Sequence, residues 1–327
     1  MGVRTPLRLP APAWPALVPW TLSGLLAVAA LVRLLRLDRG VLLIQVISFT
    51  PYVALGALVT VAIAVVCRRY WAAGLAGLAA LALITCVTPR AFGAPSTAPG
   101  TPLTVMSVNL WLGTADAPSI VELVRDQRVD VLAVQELTST AVANLDRAGL
   151  AALLPYREAH PAPRSGGSGL FSRYPLTDAG ARLASPFGYR QAFGVVQVPG
   201  TAPVRVESVH PVPPIDEEDA DRWAAGLRAQ TPADSPGPRS VLAGDFNATL
   251  DHGELRRLLG TGYRDAADEV GAGLTPTWPF AGLRSFTTPR ITLDHVLVPA
   301  GVSVRTYRAV TIPHTDHRAI VAALTIA

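Results

Sequence analysis

The stretch VLAGDFN, Val241–Asn247, decides the fold of this chain. Its first four residues favour a buried strand, and the polar residues Asp245 and Asn247 come where that strand ends. On its own, a D-x-N sequence most often forms an Asx turn, so the stretch could be purely structural. The wider sequence decides between these interpretations, because the same arrangement recurs along it.

Polar side chains occur at five further apolar strands, four times at a strand end or start and once, at Asp294, within the strand ITLDHVLV. Strand ends along one edge of a sheet are where α/β folds gather their active sites. Each residue has a plain structural alternative, such as a turn at Asn109 or a helix cap at Glu136. Together they indicate one polar site on a mixed sheet, and they are Asn109, Glu136, His210, Asp294 and the pair Asp316–His317.

The residue types indicate a hard divalent cation. Carboxylate and amide oxygens without a cysteine cluster suit Mg²⁺, Mn²⁺ or Ca²⁺, whereas a zinc site would need more histidines at turn or helix spacing. No G-x-S-x-G nucleophile elbow occurs, and the glycine-rich Ser165–Gly169 lacks the Gly-Lys of a phosphate loop. Metal, carboxylates and histidines together are typical of hydrolytic phosphoryl chemistry.

The ordered set N…QE…H…GDFN…LDH…TDH resembles the endonuclease/exonuclease/phosphatase superfamily, whose fold is deoxyribonuclease I-like. The resemblance runs from about Leu103 to Ala327, and GDFN together with a terminal TDH carries it. It implies an α/β fold, a four-layer sandwich with two central mixed β-sheets flanked by helices. It also implies cleavage of phosphate esters with a divalent metal.

The resemblance implies a catalytic role for four matched residues. Asp245 matches the carboxylate that orients or deprotonates the attacking water. His210 and His317 match the mid-chain and terminal histidines that face the phosphoryl group. Asp294 matches the aspartate that hydrogen-bonds the terminal histidine.

The resemblance also implies a cation site and a phosphate contact. The ion would be Mg²⁺, with Mn²⁺ or Ca²⁺ as alternatives, and Asn247 would contact phosphate or metal. The matched metal ligands are Asn109, Glu136, Asp245, Asn247 and Asp316.

One position departs from the pattern of the family's nucleases, which pair the mid-chain histidine with an acid on a preceding strand. The corresponding region, Phe187–Phe193, contains Arg190 and no acid. Glu207 has the wrong strand parity to reach His210. We therefore expect His210 to lack an acidic partner. For Trp278, packing beneath a loop is favoured over stacking on a substrate.

The charge of the chain is divided unevenly. The 327 residues carry a net charge of +4, all 28 basic residues are arginine, and the sequence pI is about 9.4. Residues 1–100 have a net charge of +7, and residues 101–327 have twenty arginines and twenty-three acids, a net of −3. A basic pI would ordinarily suggest a nucleic-acid partner, but here the basicity belongs to the most apolar part of the chain.

Three uncharged stretches precede the polar motifs, at about residues 11–32, 41–66 and 70–88. Each is long enough to cross a bilayer. A cleaved signal peptide has one short apolar region and cannot explain three such stretches. We therefore expect three transmembrane helices, the second kinked at Pro51. This predicts a membrane anchor at 1–90, a Pro/Gly/Ser/Thr-rich linker at 91–102 and a catalytic domain at 103–327.

The expected location is the plasma membrane, as a multi-pass protein. An odd number of spans, a small arginine bias and a cysteine-free domain favour a catalytic domain outside the cytoplasm. The expected partners are the lipid bilayer and a phosphate ester, with no protein partner predicted. Nucleic acid, a phospholipid headgroup and a small diester remain open as substrates, and a catalytically idle receptor or scaffold is the alternative function.

Overall fold

The computed structural model describes residues 14–185 and 188–327. The first residues of the predicted 11–32 span lie outside the described residues, as does Phe187. The chain divides into two compact units. The first contains the helices up to Leu35 and those of Thr50–Val87, and the second contains Arg36–Phe49 and Thr88–Ala327.

Helices α1 (Trp14–Leu35), α2 (Val41–Ile47), α3 (Thr50–Val66) and α4 (Tyr70–Val87) form in chain order. Of these, α1, α3 and α4 make up the first unit. They pack through small residues such as Ala30, Ala54 and Ala79, while large aliphatic side chains such as Leu55 and Leu78 face outward. An apolar exterior with small residues inside is typical of helices that pack within a lipid bilayer.

The structure has two of the three predicted transmembrane helices, and the second predicted helix is broken. Two helices among the described residues are long and apolar enough to cross a membrane, Leu17–Leu35 and Tyr70–Ala91. A third span would require α2 and α3 to count as one despite the break between them. The break lies next to Pro51, where a kink was predicted. Pro51 stands in the first turn of α3, where its missing N–H is tolerated, and its ring disfavours a straight helix through the preceding turn.

The second unit carries a short 3₁₀ helix, twelve strands and seven further helices among the described residues. Its strands are β1 (Thr101–Asn109), β2 (Val131–Gln135), β3 (Tyr156–His160), β4 (Ser168–Ser172), β5 (Leu176–Leu183), β6 (Arg190–Val196), β7 (Val204–Val209), β8 (Arg239–Asp245), β9 (Arg264–Asp265), β10 (Asp294–Val298), β11 (Val302–Thr311) and β12 (Arg318–Ile326). The 3₁₀ helix is Thr88–Ala91, and the helices are α5 (Ala117–Asp126), α6 (Ser139–Arg147), α7 (Leu150–Leu153), α8 (Glu217–Arg228), α9 (Gly253–Leu259), α10 (Ala266–Glu269) and α11 (Arg284–Thr287).

The strands form two mixed six-stranded sheets, which confirms the predicted sheet architecture. Their orders are β11-β12-β1-β2-β4-β3 and β5-β6-β7-β8-β10-β9. Each sheet contains a parallel pair at its centre, β1 with β2 and β7 with β8, and antiparallel pairs around it.

The two sheets face each other across an aliphatic core. Alternate residues of each strand point into it, such as Val105 from β1 and Val241 from β8. The opposite faces are covered by helices. Ile120 of α5 packs on the first sheet, and Trp223 of α8 and Leu255 of α9 pack on the second. The result is the four-layer order of helix, sheet, sheet and helix.

Candidate active site

The carboxyl ends of the two central parallel pairs carry the predicted polar residues. Asn109 ends β1 and Glu136 follows β2; in the other sheet His210 follows β7 and Asp245 ends β8. Asp294 begins β10 directly opposite Asp245 in the antiparallel pair. Asn109, Asp245 and Asp294 have the inward parity of the core valines, so the space between the sheets changes from aliphatic to polar at this end.

Asp245 lies at the centre of the site. Its Oδ2 accepts a hydrogen bond from Asn109 Nδ2 at 3.0 Å and lies 3.7 Å from His210 Nε2 and 3.6 Å from His317 Nε2. Its Oδ1 accepts from the backbone N–H of Asn247 at 2.8 Å, and Asn247 has a φ of 47°. Burial raises the pKa of Asp245, against the histidines that favour its charged form.

Glu136 is held beside this group by a strained turn. Its φ is 56°, which is uncommon for a residue with a side chain and directs the carboxylate back toward β1. Its Oε1 accepts from Asn109 Nδ2 at 3.3 Å, and its Oε2 accepts from the backbone N–H of Leu112 at 2.5 Å. Asn109 thus links the carboxylates of Glu136 and Asp245.

His317 is paired with a second carboxylate. Its Nδ1 lies 2.9 Å from Asp294 Oδ2, while its Nε2 faces Asp245. Burial alone would lower the pKa of His317, but Asp294 and Asp245 outweigh it and raise the pKa to about 10. The ring is therefore an imidazolium at neutral pH, with Nδ1 donating to Asp294 and Nε2–H directed at the site.

His210 contacts the same aspartate without a second carboxylate. Burial lowers the pKa of His210 to about 4, although Asp245 opposes this, so the ring is neutral at pH 7. Its Nδ1 has no hydrogen-bond partner within residues 14–185 and 188–327. Glu207 instead forms ion pairs with Arg182 at 2.7 Å and Arg205 at 3.2 Å.

A pocket of about 440 Å³ opens over these groups. Asn109 and Asp294 do not line the pocket. They hydrogen-bond Asp245 and His317, which do. The structure thus brings all eight predicted residues to one place, although their individual roles stay predictions. The six predicted residues that line the pocket are Glu136, His210, Asp245, Asn247, Asp316 and His317.

Trp278 is half-buried, and the Arg284 guanidinium lies over its ring, 5.6 Å from the ring centroid. It also lines the pocket, where its Nε1 donates to Asp316 Oδ2 at 3.0 Å. The indole N–H needs a partner, and the carboxylate at the pocket edge supplies it. The preference for packing over substrate stacking stays a prediction.

The donor set fits a hard divalent cation. Glu136 and Asp245 contribute carboxylates, and burial holds the pKa of Asp245 above its usual range, a cost that a bound cation would offset. Asp245, Asp294 and His317 also lie close enough to hold an ion, with ligand atoms within 4.8 Å of one another. That second group is less suitable, because a doubly protonated His317 has no lone pair to offer.

The sequence patterns did not identify several residues at or next to the pocket. Tyr189 packs on His210 with ring centroids 4.9 Å apart, and Trp111 and Arg284 line the opening. Ile44 and Phe49 also line it, although they lie inside a stretch that resembled a membrane span. Tyr189 and Trp111 lie in loops, Arg284 begins the short helix α11, and none of them belongs to a recognisable motif. Ile44 and Phe49 were missed because their stretch was assigned to a membrane span from its hydropathy.

The sequence matches a family model described as Endonuclease/Exonuclease/phosphatase family over residues 106–317. A search of curated proteins finds no match. The matched range contains all eight predicted residues, and it begins within β1 and ends at His317.

Solved structures share the fold. An endonuclease/exonuclease/phosphatase from Beutenbergia cavernae DSM 12333 has 19% identity and a TM-score of 0.55, covering 69% of this chain and 72% of its own. D. rerio TDP2 complexed with single strand DNA product has 16% identity and a TM-score of 0.54, with 69% and 99% covered. A mannosyl-6-phosphatase of Bacteroides thetaiotaomicron VPI-5482 has 16% identity and a TM-score of 0.52, with 68% and 100% covered.

Proposed function

Because this chain belongs to the Endonuclease/Exonuclease/phosphatase family, whose members typically hydrolyse phosphoester bonds, we propose that it is a membrane-anchored, divalent-metal-dependent phosphodiesterase. Anchoring is supported by the two helices that are long and apolar enough to cross a bilayer. Metal dependence is supported by the oxygen donors at Glu136 and Asp245. The proposed catalytic domain, 103–327, would face the outside of the plasma membrane.

The observation that carries the proposal is the surrounding of Asp245. One buried carboxylate oxygen lies within 3.7 Å of two histidine Nε2 atoms, one on a neutral ring and one on a charged ring. Water attack on a phosphate ester requires a group that accepts a proton, a positive charge that stabilises the phosphoryl oxygens and a hydrogen-bonding group at the phosphate. Asp245, His317 and His210 provide these three groups at one point.

Each side chain has a distinct task in the proposed reaction. Asp245 orients the attacking water and accepts a hydrogen bond from it. The imidazolium of His317 stabilises negative charge on the phosphoryl oxygens, and Asp294 keeps that ring charged and aligned. Neutral His210 donates or accepts a hydrogen bond at the phosphate, and Asn247 contacts a phosphate oxygen.

The reaction forms a bond from water oxygen to phosphorus and breaks the opposite phosphorus–oxygen ester bond. The products are a phosphate monoester and an alcohol, and the proton lost by water passes to Asp245 before it reaches the leaving alcohol or solvent. A divalent cation held by Glu136, Asn109 and Asp245, with Asn247 and Asp316 nearby, would neutralise charge that develops on the phosphate.

The charge of the catalytic domain favours small or lipid diesters over duplex nucleic acid. A protein that binds duplex DNA neutralises several phosphates with basic side chains. Residues 101–327 have a net charge of −3, and α8 begins with the acidic residues Glu217, Glu218 and Asp219.

The proposal is tested with the full chain in detergent. Hydrolysis of bis(4-nitrophenyl) phosphate is measured after EDTA treatment and after addition of Mg²⁺, Mn²⁺ or Ca²⁺. We expect activity to require one of these ions and to be lost in Asp245→Asn. The matched control is Asp146→Asn, which removes an exposed ion pair with Arg157 and should leave the rate unchanged.

Two results would contradict the proposal. Full metal-dependent hydrolysis by Asp245→Asn would exclude the role given to that carboxylate. Absence of hydrolysis, together with absence of cation binding by calorimetry, would favour the idle receptor or scaffold.

A further inference from the structure

The segment Arg36–Phe49, called the wall segment from here on, belongs to the same compact unit as the catalytic residues. Polar contacts hold it there. Asp38 Oδ2 accepts from the backbone N–H of Gly253 at 2.8 Å, and Ile44 O lies 2.9 Å from His252 Nε2. These contacts join the wall segment to the loop and helix that follow the VLAGDFN strand.

Apolar packing seats the wall segment further. The side chain of Ile44 is buried with Trp223, Phe246 and Leu255. A Cβ atom at Gly253 would lie 2.6 Å from Asp38 Oδ1, so this contact depends on glycine. The wall segment is therefore part of the catalytic unit's own core.

The wall segment also shapes the active-site pocket. Ile44 and Phe49 line it, next to the apolar residues Pro213, Pro214 and Ile215. Gln45 Nε2 donates to Pro214 O at 3.1 Å, which joins the two groups into one surface. The pocket therefore has a polar part, where Asp245 lies, and an apolar part built largely from sequence outside the family's motifs.

Large exposed apolar side chains occur in the pocket lining and next to a lining residue in the sequence. Ile215, a lining residue, is 63% exposed. Leu283 and Phe286 are 78% and 89% exposed and flank Arg284, which also lines the pocket. Exposed apolar groups clustered around a site mark a surface that contacts something apolar.

The outward side of the wall segment has the composition of a membrane interface. Leu37, Leu42 and Val46 are exposed, and the exposed residues Arg36 and Arg39 accompany them. Aliphatic residues with neighbouring arginines suit the boundary between headgroups and acyl chains.

The order of the sequence identifies what this surface contacts. The wall segment follows directly on the candidate span Leu17–Leu35 and continues directly into the apolar helix α3. Consecutive Cα atoms are about 3.8 Å apart, so an anchored chain cannot carry the wall segment far from the bilayer surface.

We propose that the substrate is an amphiphilic phosphodiester, with a phosphate that reaches Asp245 and a hydrocarbon chain that lies along the wall segment. Phe49 and Ile215 form the contact for that chain, and buried Ile44 holds the segment that carries Phe49 in place. This inference rests on the proposed phosphodiesterase function and adds the class of its substrate: a lipid phosphodiester drawn from the membrane.

The test uses a series of 4-nitrophenyl alkyl phosphates, from methyl to octyl, kept below their micelle concentrations. All share one leaving group, so only the apolar contact varies. With the full chain in detergent, we expect kcat/KM to be at least about tenfold higher for octyl than for methyl, because each buried CH₂ contributes favourably to binding. The 4-nitrophenyl ester of thymidine 5′-phosphate represents nucleic-acid diesters.

Two variants and a matched control locate the contact. Phe49→Ser and Ile215→Ser should each reduce the octyl-to-methyl ratio of kcat/KM about fivefold, because a large apolar contact is lost. Leu183→Ser replaces a side chain of similar exposure, 57%, that does not line the pocket, and it should leave the ratio unchanged.

The outcomes distinguish failure of the lipid-substrate inference from failure of the proposed phosphodiesterase function. Metal-dependent hydrolysis that is equal for all alkyl chains, or fastest for the thymidine ester, would overturn the lipid substrate and leave the phosphodiesterase intact. A chain-length preference that Phe49→Ser and Ile215→Ser leave unchanged would overturn the role of the wall segment. Absence of hydrolysis for every ester would overturn both.

Discussion

Two histidines of the pocket, His210 and His317, share one anionic neighbour and yet differ in protonation state. His210 and His317 lie 3.7 Å and 3.6 Å from the same oxygen of Asp245. The pKa of His210 falls to about 4 and that of His317 rises to about 10. The difference lies behind the rings, where His317 meets Asp294 and Nδ1 of His210 meets no partner among the described residues.

Burial lowers the pKa of both rings. For His317 it is outweighed by Asp294 and Asp245, whereas for His210 it prevails over Asp245 and is reinforced by the charge of His317. These shifts also assign the pH dependence. His210 stays neutral above about pH 4, and His317 stays charged below about pH 10. Between these limits the pocket holds one neutral and one charged ring, as the proposed mechanism needs.

Removing the shared carboxylate should have the largest effect. We expect Asp245→Asn to lower kcat about a thousandfold, because it removes the group that orients water. It should also lower the pKa of both histidines, since Asp245 favours the charged form of each. Histidine titrations by NMR in EDTA measure this, and unchanged pKa values would contradict the shared contact.

Replacing Asp294, the second carboxylate beside His317, should make the protonation state of His317 resemble that of His210. We expect Asp294→Asn to lower kcat about a hundredfold at neutral pH, because the neutral ring stabilises phosphoryl charge poorly. The alkaline limb of the rate profile should move from near pH 10 to lower pH, since loss of Asp294 lowers the pKa of His317. A limb that stays in place would show that Asp294 does not control this charge.

Removing the neutral ring should have a smaller effect. We expect His210→Gln to lower kcat about tenfold, because a side-chain amide replaces some of its hydrogen bonding. The alkaline limb should stay in place, since that limb belongs to His317. If the alkaline limb of the rate profile shifted in His210→Gln as far as in Asp294→Asn, the two histidines would not have separate roles.

The smallest expected effect is on stability. An unfolded histidine takes up a proton below about pH 6.5, whereas buried His210 does so only near pH 4. The free energy of unfolding should therefore fall as pH drops from 6.5 to 4, and His210→Gln should reduce that fall by about 1–3 kcal/mol. Denaturant unfolding of both proteins across this range, in EDTA, measures it. Parallel losses would contradict the buried neutral ring.

The strand-end pattern was sufficient to predict the meeting of the polar residues. Asn109, Asp245 and Asp294 end or begin apolar strands with inward parity, and sheet geometry then brings such residues to one edge. Apolar strands and intervening helices are local features, and they predicted a mixed sheet. The number of sheets came from the family resemblance, and the structure confirms two. The role of Trp278 depended on its distance from Asp316, thirty-eight residues away, which no local pattern contains.

The stretch 41–66 shows the limit of hydropathy. Ile44 in α2 and Leu55 in α3 are both large aliphatic residues of one uncharged stretch, yet Ile44 is buried in the catalytic unit and Leu55 is exposed on the first unit. Hydropathy reports that a side chain avoids water, and it does not say whether protein or lipid replaces the water.

The sequence by itself determined the chemical groups of the site, the strands that end in them and the apolar character of the first hundred residues. These properties follow from side-chain chemistry and from periods of two and 3.6 residues along the chain. The different protonation states of His210 and His317, and the place of Ile44 and Phe49 in the pocket lining, follow only from the tertiary structure. Both depend on distances and burial between residues far apart in the sequence, and those arise only when the sheets and helices pack.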